Sequence, residues 1–279
     1  MTQDNTRKAP IGIFDSGYGG LTILSEIRRA LPQYDYIYLG DNARAPYGTR
    51  SFEIVYRFTL EAVQYLFDQG CQLVILACNT ASAKALRSIQ QNDLPHIDPA
   101  RRVLGVIRPT VEILDKVTHN GHIGLLGTPG TIQSQSYTAE VAKLYPQFHV
   151  HGQACPMWVP LIENNEIDNE GTNFFVKKYI NELLAQSTLI DTVILGCTHY
   201  PLLYNLIRKH LPNHIQILSQ GALVADSLKD YLKRHPEIEQ KCSQNGKCTY
   251  LTTESGSKFN ETATLFLQDT ITARQIEIG

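Results

Sequence analysis

Along the chain, short apolar runs rich in β-branched residues alternate with longer stretches in which apolar positions recur every three or four residues. The runs 11–14, 36–39, 73–77, 103–107, 123–126, 193–195 and 215–218 are brief and bounded by polar or turn-forming residues, so they predict strands. The stretches 21–31, 52–68, 82–91 and 174–184 predict helices. In the second of these, Leu60, Val63, Leu66 and Phe67 fall on one face. Pro32, Pro146 and Pro212 stand just beyond helical stretches, where they stop them. Strand and helix in alternation predict an α/β fold with mainly parallel sheets. The polar stretch KCSQNGK (241–247) predicts a surface loop, with a tight turn at Asn245-Gly246.

One pattern occurs twice. LVILACNT (73–80) and VILGCTH (193–199) are each an apolar strand, a small residue, a cysteine and then polar side chains that open a helix. The repeat predicts two similar halves, each offering a cysteine, Cys78 or Cys197, at the carboxyl end of a strand. Open α/β sheets bind ligands at that edge. A helix N-terminus beside each sulfur would favour the thiolate and lower its pKa. Cys71, Cys155, Cys242 and Cys248 lack that context and read as buried small residues.

Composition narrows the function classes. The chain has 279 residues, 43% hydrophobic and 19% charged, ample for a core without staples. Lys and Arg total 25 against 27 Asp and Glu, a net charge of −2. Such a balance provides no field to hold a phosphate backbone, so no nucleic-acid partner is expected. Six scattered cysteines with no CxxC pair suit neither a disulfide framework nor a zinc finger. The N-terminal MTQDNTRKAP carries charge with no apolar segment behind it, and no run of apolar residues is long enough to span a membrane. A cytoplasmic enzyme with no membrane partner is the expectation.

Further chemistry lies between the strands. DSGYGG (15–20) follows the first strand and is neither a Walker A loop nor a GxGxxG fingerprint, so nucleotide binding is not supported. Asp15 there reads either as a helix cap or as a substrate contact. DNARAPYG (41–48) predicts an ordered loop over the sheet edge. Glu163 closes the apolar run CPMWVPLIE (155–163), and taken alone it reads as a solvated helix residue. His149 and His151 share one strand face; with no third ligand near them in sequence, no metal is expected. His199, two residues beyond Cys197, reads either as a packing histidine or as a proton-transfer group.

Together these stretches resemble the cofactor-independent aspartate/glutamate racemase family, its glutamate-acting members in particular. The matching segments are IGIFDSGYGGLTIL (11–24), YLGDNARAPYG (38–48), LACNTASAKAL (76–86), LLGTPGTIQSQSY (125–137), ACPMWVPLIE (154–163) and LGCTHYPLL (195–203), with weaker similarity through TTESGSKFNETATLFL (252–267). The resemblance implies two α/β domains related by pseudo-twofold symmetry with the site between them. Residues 1–101 and 216–279 would form one domain and 102–215 the other. It implies interconversion of L- and D-glutamate by two bases, without cofactor or metal, to supply D-glutamate for peptidoglycan. Cys78 would act on the D-enantiomer and Cys197 on the L-enantiomer, assisted by Asp15, Glu163 and His199. Substrate-binding positions would be Asp15, Ser16, Tyr47, Gly48, Asn79, Thr80, Thr198 and His199. A homodimer is a further implication.

The chain departs from the family at LSQG (218–221), which lacks the Asp-Ser pair common there, so polar contacts from that loop are in question. Tyr18 and Trp158 also stand where smaller or aliphatic residues are common. Three other readings remain at this stage. Cys197 and His199 could be the nucleophile and base of a thiol hydrolase, although that leaves Cys78 unexplained. An aspartate racemase differs by one substrate methylene. A two-domain amino-acid binding protein would need the cleft but neither thiol.

Overall fold

The computed structural model describes residues 8–279, so the first seven residues of the N-terminal stretch read for a signal peptide lie outside the described residues. Among the described residues, ten strands form two sheets. In chain order they are β1 (Ile11–Asp15), β2 (Tyr36–Gly40), β3 (Leu73–Leu76), β4 (Arg102–Gly105), β5 (His122–Gly127), β6 (His149–Ala154), β7 (Thr192–Gly196), β8 (Gln216–Leu218), β9 (Cys248–Thr252) and β10 (Ala273–Gln275). The larger sheet has the order β10-β9-β2-β1-β3-β4 and the smaller β6-β5-β7-β8. Every pairing is parallel. Removing β9 and β10 leaves the order second-first-third-fourth in both sheets, so the repeat seen around the two cysteines is a repeat of topology. Cys78 follows the third strand of one sheet and Cys197 the third strand of the other.

Strand alternation sets the layers of the larger sheet. Ile11 and Ile13 of β1 join one buried cluster with Leu21, Leu24 and Ile27 of the helix Gly20–Ala30. Phe14 points to the opposite face, where Val55, Val63 and Leu66 of the helix Phe52–Asp68 cover it. A sheet buried on both faces reads as continuous apolar runs, which is why these strands were legible. Helix Phe52–Asp68 starts at Ser51, whose hydroxyl accepts from the Ile54 amide at 3.4 Å, and the turn after it uses Gly70 at φ +94°. The helix Gln220–Arg234 follows β8 of the smaller sheet yet packs against Gly20–Ala30, so it ties the two halves together.

Three sequence expectations shift. Residues 102–105 pair with β3 and residues 216–218 with β7, so sheet membership puts both segments on the other side of the boundaries drawn at 101/102 and 215/216. The strand expected over 103–107 ends at Gly105, because the Val106 amide turns to the Ser82 hydroxyl at 3.4 Å and a helix begins at Ile107. The helix expected over 82–91 is broken into Asn79–Lys84, Leu86–Ser88 and a wider turn over Ile89–Asp93. Among the described residues no helix is long and apolar enough to cross a membrane.

Candidate active site

The carboxyl ends of β1, β3, β5 and β7 carry four turns, and they pack in a reciprocal pattern. The turn after β3 meets the turn after β5: the Thr80 hydroxyl lies 3.0 Å from that of Thr128 and 3.4 Å from that of Thr131. The turn after β7 meets the turn after β1: the Thr22 hydroxyl donates to the Thr198 carbonyl at 3.0 Å. Each cysteine-bearing turn of one sheet thus rests on the first turn of the other. This exchange brings two sulfurs, which stand far apart in sequence, to one buried region.

Cys78 caps the helix Asn79–Lys84, its sulfur accepting from the Ala81 amide at 3.4 Å and lying 3.3 Å from the Ser16 hydroxyl. The helix N-terminus does not make it a ready thiolate. Burial pushes its pKa up to about 12, and the Asp15 charge adds to the rise, against the weaker pull of Ser16 and the Ala81 amide. The expected lowering at this sulfur is therefore reversed in the free protein.

Cys197 is equally buried but differently partnered. Its sulfur lies 3.8 Å from His199 Nδ1, and His199 Nε2 lies 2.9 Å from Glu163 Oε1. Burial would lower the His199 pKa, but hydrogen bonding to Cys197 and Glu163 outweighs it and carries the value up to about 10. Both ring nitrogens thus have a partner, Nδ1 the sulfur and Nε2 the carboxylate, and together these favour the protonated ring. Phe266 meets the same ring edge-on at 5.3 Å and helps to exclude water. No regular helix starts directly after Cys197. A 3₁₀ turn begins at Tyr200, so at this end His199 supplies the positive partner expected of a helix N-terminus.

Asp15 is wholly buried at the end of β1. Its Oδ1 accepts from the Gly17 amide at 2.8 Å, whereas Oδ2 has no partner. Burial raises its pKa, against the attraction of His199 and the amides of Gly17 and Gly20. It does not act as a side-chain cap for the following helix, whose first residue is Gly20.

The remaining expected substrate contacts divide. Ser16 borders the Cys78 sulfur, and Thr198, the residue after Cys197, turns its hydroxyl toward Gly19. Gly48 lies at the junction, where its carbonyl accepts from Gly130 N at 2.7 Å and Thr128 occupies the space a side chain would need. The Tyr47 hydroxyl is committed to Asp41, which also holds Arg44 Nε at 2.7 Å, so only its ring and backbone remain for a ligand. The Asn79 side chain is engaged by Tyr137 at 2.7 Å and by Gln220 at 2.6 Å. Thr80 shares its hydroxyl with Thr128 and Thr131.

Sequence reasoning assigned no role to Thr128, Thr131 or Gln220, although the first two lie in a segment quoted for the resemblance. Their small, polar, strand-end context was the available signal. Tyr18 stacks on Phe259 at 5.2 Å, and Trp158 meets Tyr200 edge-on at 4.7 Å, which places both departures in the packing around the site. His122, unnoticed in sequence, adjoins the histidine pair, its Nδ1 3.1 Å from His151 Nε2. Among the described residues, no three His, Cys, Asp or Glu side chains group closely enough to hold a metal ion. All six cysteines are free; Cys71, Cys155 and Cys242 are buried as read from sequence, while Cys248 is half-buried.

The turns thus hold two buried thiols, Cys78 with Asp15 among its charged neighbours and Cys197 beside His199, which Glu163 holds in turn. Both are groups able to give or take a proton.

Comparison with known proteins is consistent with this geometry. The family model for Asp/Glu/Hydantoin racemase matches residues 19–228. A glutamate racemase of Ruegeria sp. (strain TM1040) is 41% identical over 272 residues, covering 94% of this chain and 98% of its own length. Among solved structures, a glutamate racemase isoform from Bacillus anthracis superposes with a TM-score of 0.87 at 37% identity, over 96% of this chain and 97% of that one. A glutamate racemase from Francisella tularensis, solved with D-glutamate, gives 0.86 at 30% identity over 98% of both chains.

Proposed function

The chain belongs to the Asp/Glu/Hydantoin racemase family, and from that premise we propose that it is a glutamate racemase using Cys78 and Cys197 as its two bases. The observation that carries the reading is the pair of thiols on equivalent strand ends of two repeated sheets, joined by reciprocal turns. Inverting a stereocentre through a planar carbanion needs a base on one face and an acid on the other.

In the D-to-L direction the Cys78 thiolate takes the α-proton of glutamate and becomes a thiol. The electron pair left at Cα then takes the proton of the Cys197 thiol on the opposite face, which leaves Cys197 as thiolate. The reverse direction runs the same steps backwards. Exchange with solvent protons resets the pair between turnovers.

The two ends reach the thiolate by different means. At Cys197 the His199 imidazolium, held by Glu163, offers Nδ1–H to the sulfur. At Cys78 the buried thiol requires the ligand itself. The substrate's α-ammonium brings a positive charge into the site, which favours the thiolate, and Asp15 accepts the released proton. The raised pKa of Asp15 narrows the gap between it and the sulfur. The unpartnered Asp15 Oδ2 is the group free to do this.

Ser16, Thr198 and the backbone of Tyr47, Gly48, Asn79 and Thr80 hold the substrate carboxylates. A weak carbon acid demands such fixed donors and the exclusion of water. The D-glutamate formed serves peptidoglycan synthesis in the cytoplasm. A homodimer, read from the family resemblance, leaves each site complete, since both thiols belong to one chain.

The test is racemisation of L-glutamate by purified protein with a chelator and no added cofactor, alongside Cys78→Ser and Cys197→Ser. Loss of optical rotation with wild type, and racemisation slowed by about a thousandfold or more in each folded variant, is expected. Full activity in either variant would falsify the two-base assignment. Turnover of aspartate in place of glutamate would instead favour the aspartate-racemase reading.

A further inference from the structure

Resting on the two-base reading, we propose that Gln220 is a positioning residue for the Cys78 half of the reaction, acting through Asn79. Gln220 stands at the start of the helix Gln220–Arg234, in the loop where the sequence departs from its family, and it is almost wholly buried. Its amide makes more polar contacts than that departure suggested. Nε2 lies 2.8 Å from Thr110 Oγ1 and 2.8 Å from the Tyr137 hydroxyl, and Oε1 accepts from Asn79 Nδ2 at 2.6 Å.

The directions of these bonds are fixed. Thr110 spends its hydroxyl proton on the Val106 carbonyl at 2.8 Å, so it must accept from Gln220. Tyr137 spends its proton on Asn79 Oδ1 at 2.7 Å, so it too must accept from Gln220. Gln220, Tyr137 and Asn79 therefore close a ring in which each side chain both donates and accepts. With the roles of Nε2 and Oε1 exchanged, Gln220 would set acceptor against acceptor at Thr110 and Tyr137 and donor against donor at Asn79.

The ring is placed where it controls the site. Asn79 is the residue after Cys78 and the first of the helix that Cys78 caps. Tyr137 belongs to the segment between β5 and β6 of the smaller sheet. Thr110 and Val106 lie on one chain crossing between the sheets, after β4, and Gln220 lies on the other, after β8. One buried amide thus fixes the Cys78 turn against both crossings and the opposite half. The Cys197 sulfur is set by His199, whose Nδ1 lies 3.8 Å from it.

The consequence is asymmetric. Loosening Asn79 raises the barrier for transfer at Cys78 and leaves transfer at Cys197 alone. The equilibrium constant of a racemisation is unity, so kcat/KM must fall equally in both directions. The isotope effects need not change equally. With α-deuterated D-glutamate the deuteron leaves to Cys78, so a slower step there enlarges the observed isotope effect. With α-deuterated L-glutamate the deuteron leaves to Cys197, and the isotope effect shrinks.

The experiment compares wild type, Gln220→Met and Tyr137→Phe, with Cys78→Ser and Cys197→Ser as controls. Methionine keeps the volume of glutamine and removes its hydrogen bonds, and a thermal melt establishes that each variant is folded. Expected in Gln220→Met is a fall in kcat of about tenfold, the size of the one buried hydrogen bond that Asn79 loses, with KM within about twofold. The isotope effect rises from the D side and falls from the L side. Tyr137→Phe reproduces the change, and the double variant adds little to it. Isotope effects unchanged or moved equally on both sides, with the cysteine controls inactive, would overturn the positioning role. Activity surviving in Cys78→Ser would overturn the underlying mechanism instead.

Discussion

Gly19 packs tightly against the turn that carries Thr198 and His199, and a single methyl there is an informative perturbation. A Cβ on Gly19 would lie 2.2 Å from Thr198 Oγ1, 2.4 Å from His199 Nδ1 and 2.7 Å from His199 Cε1. Carbon and oxygen in contact settle no closer than about 3.2 Å, so the turn carrying Thr198 and His199 has to retreat by about 1 Å. A displacement of that size at a reacting group costs on the order of 100-fold in rate, or about 2.7 kcal/mol of barrier. The backbone does not oppose the change, since Gly19 sits at φ −58° and ψ −34°, ordinary right-handed geometry. Alanine at a helix start also gives up less chain entropy than glycine. The expectation for Gly19→Ala is a folded protein with kcat/KM down by about 100-fold, measured by polarimetry alongside a thermal melt. Gly17→Ala is the control, because its Cβ would stand 3.5 Å from Glu163 Oε1, an ordinary contact, and it should lose less than about tenfold. Gly19→Ala within about threefold of wild type would refute the packing on which the Cys197 end depends.

Two further expectations concern ionisation. The His199 pKa is raised from 6.5 to about 10 by its partners, so their stabilisation is complete below the unfolded value and is lost as pH climbs through the folded one. The melting-temperature gap between wild type and Glu163→Gln should be widest near pH 6 and should close above pH 10; a gap that widens with pH contradicts the assignment. With its pKa pushed up to about 12, Cys78 in the ligand-free protein should react with iodoacetamide about tenfold faster for each pH unit from 8 to 10. Peptide mapping follows that residue alone, and a plateau near pH 7 would mean that its thiolate forms without substrate.

Much of this architecture could be read from the chain because the larger sheet is buried on both faces. β1, β2 and β3 are unbroken apolar runs, and both cysteines announce themselves by repeated context. The edges were harder. β6 is HVHGQA, a partly exposed edge strand whose polar residues break the apolar signal, and β10 is three residues long. The domain limits drawn from family likeness missed β4 and β8, because a strand's sheet is decided by its hydrogen-bonding neighbour, which local pattern does not encode. At the site, residue identity located the sulfurs but not their ionisation. A helix N-terminus argued for a lowered Cys78 pKa, and burial beside Asp15 decided otherwise. Glu163 read as a solvated residue when taken alone; its contact with His199 is made across 36 positions. Gln220 was visible only as a departure, since three of its partners come from separate segments.

The central claim is that two different thiols serve the two faces of Cα. The most direct measurement is the isotopic content of both enantiomers in the first few per cent of turnover of L-glutamate in D₂O. With two bases, the D-glutamate formed carries solvent deuterium at Cα while the recovered L-glutamate keeps its protium. D-glutamate that retains the original α-proton, or L-glutamate that exchanges before any D-glutamate appears, would contradict the assignment of one thiol to each face.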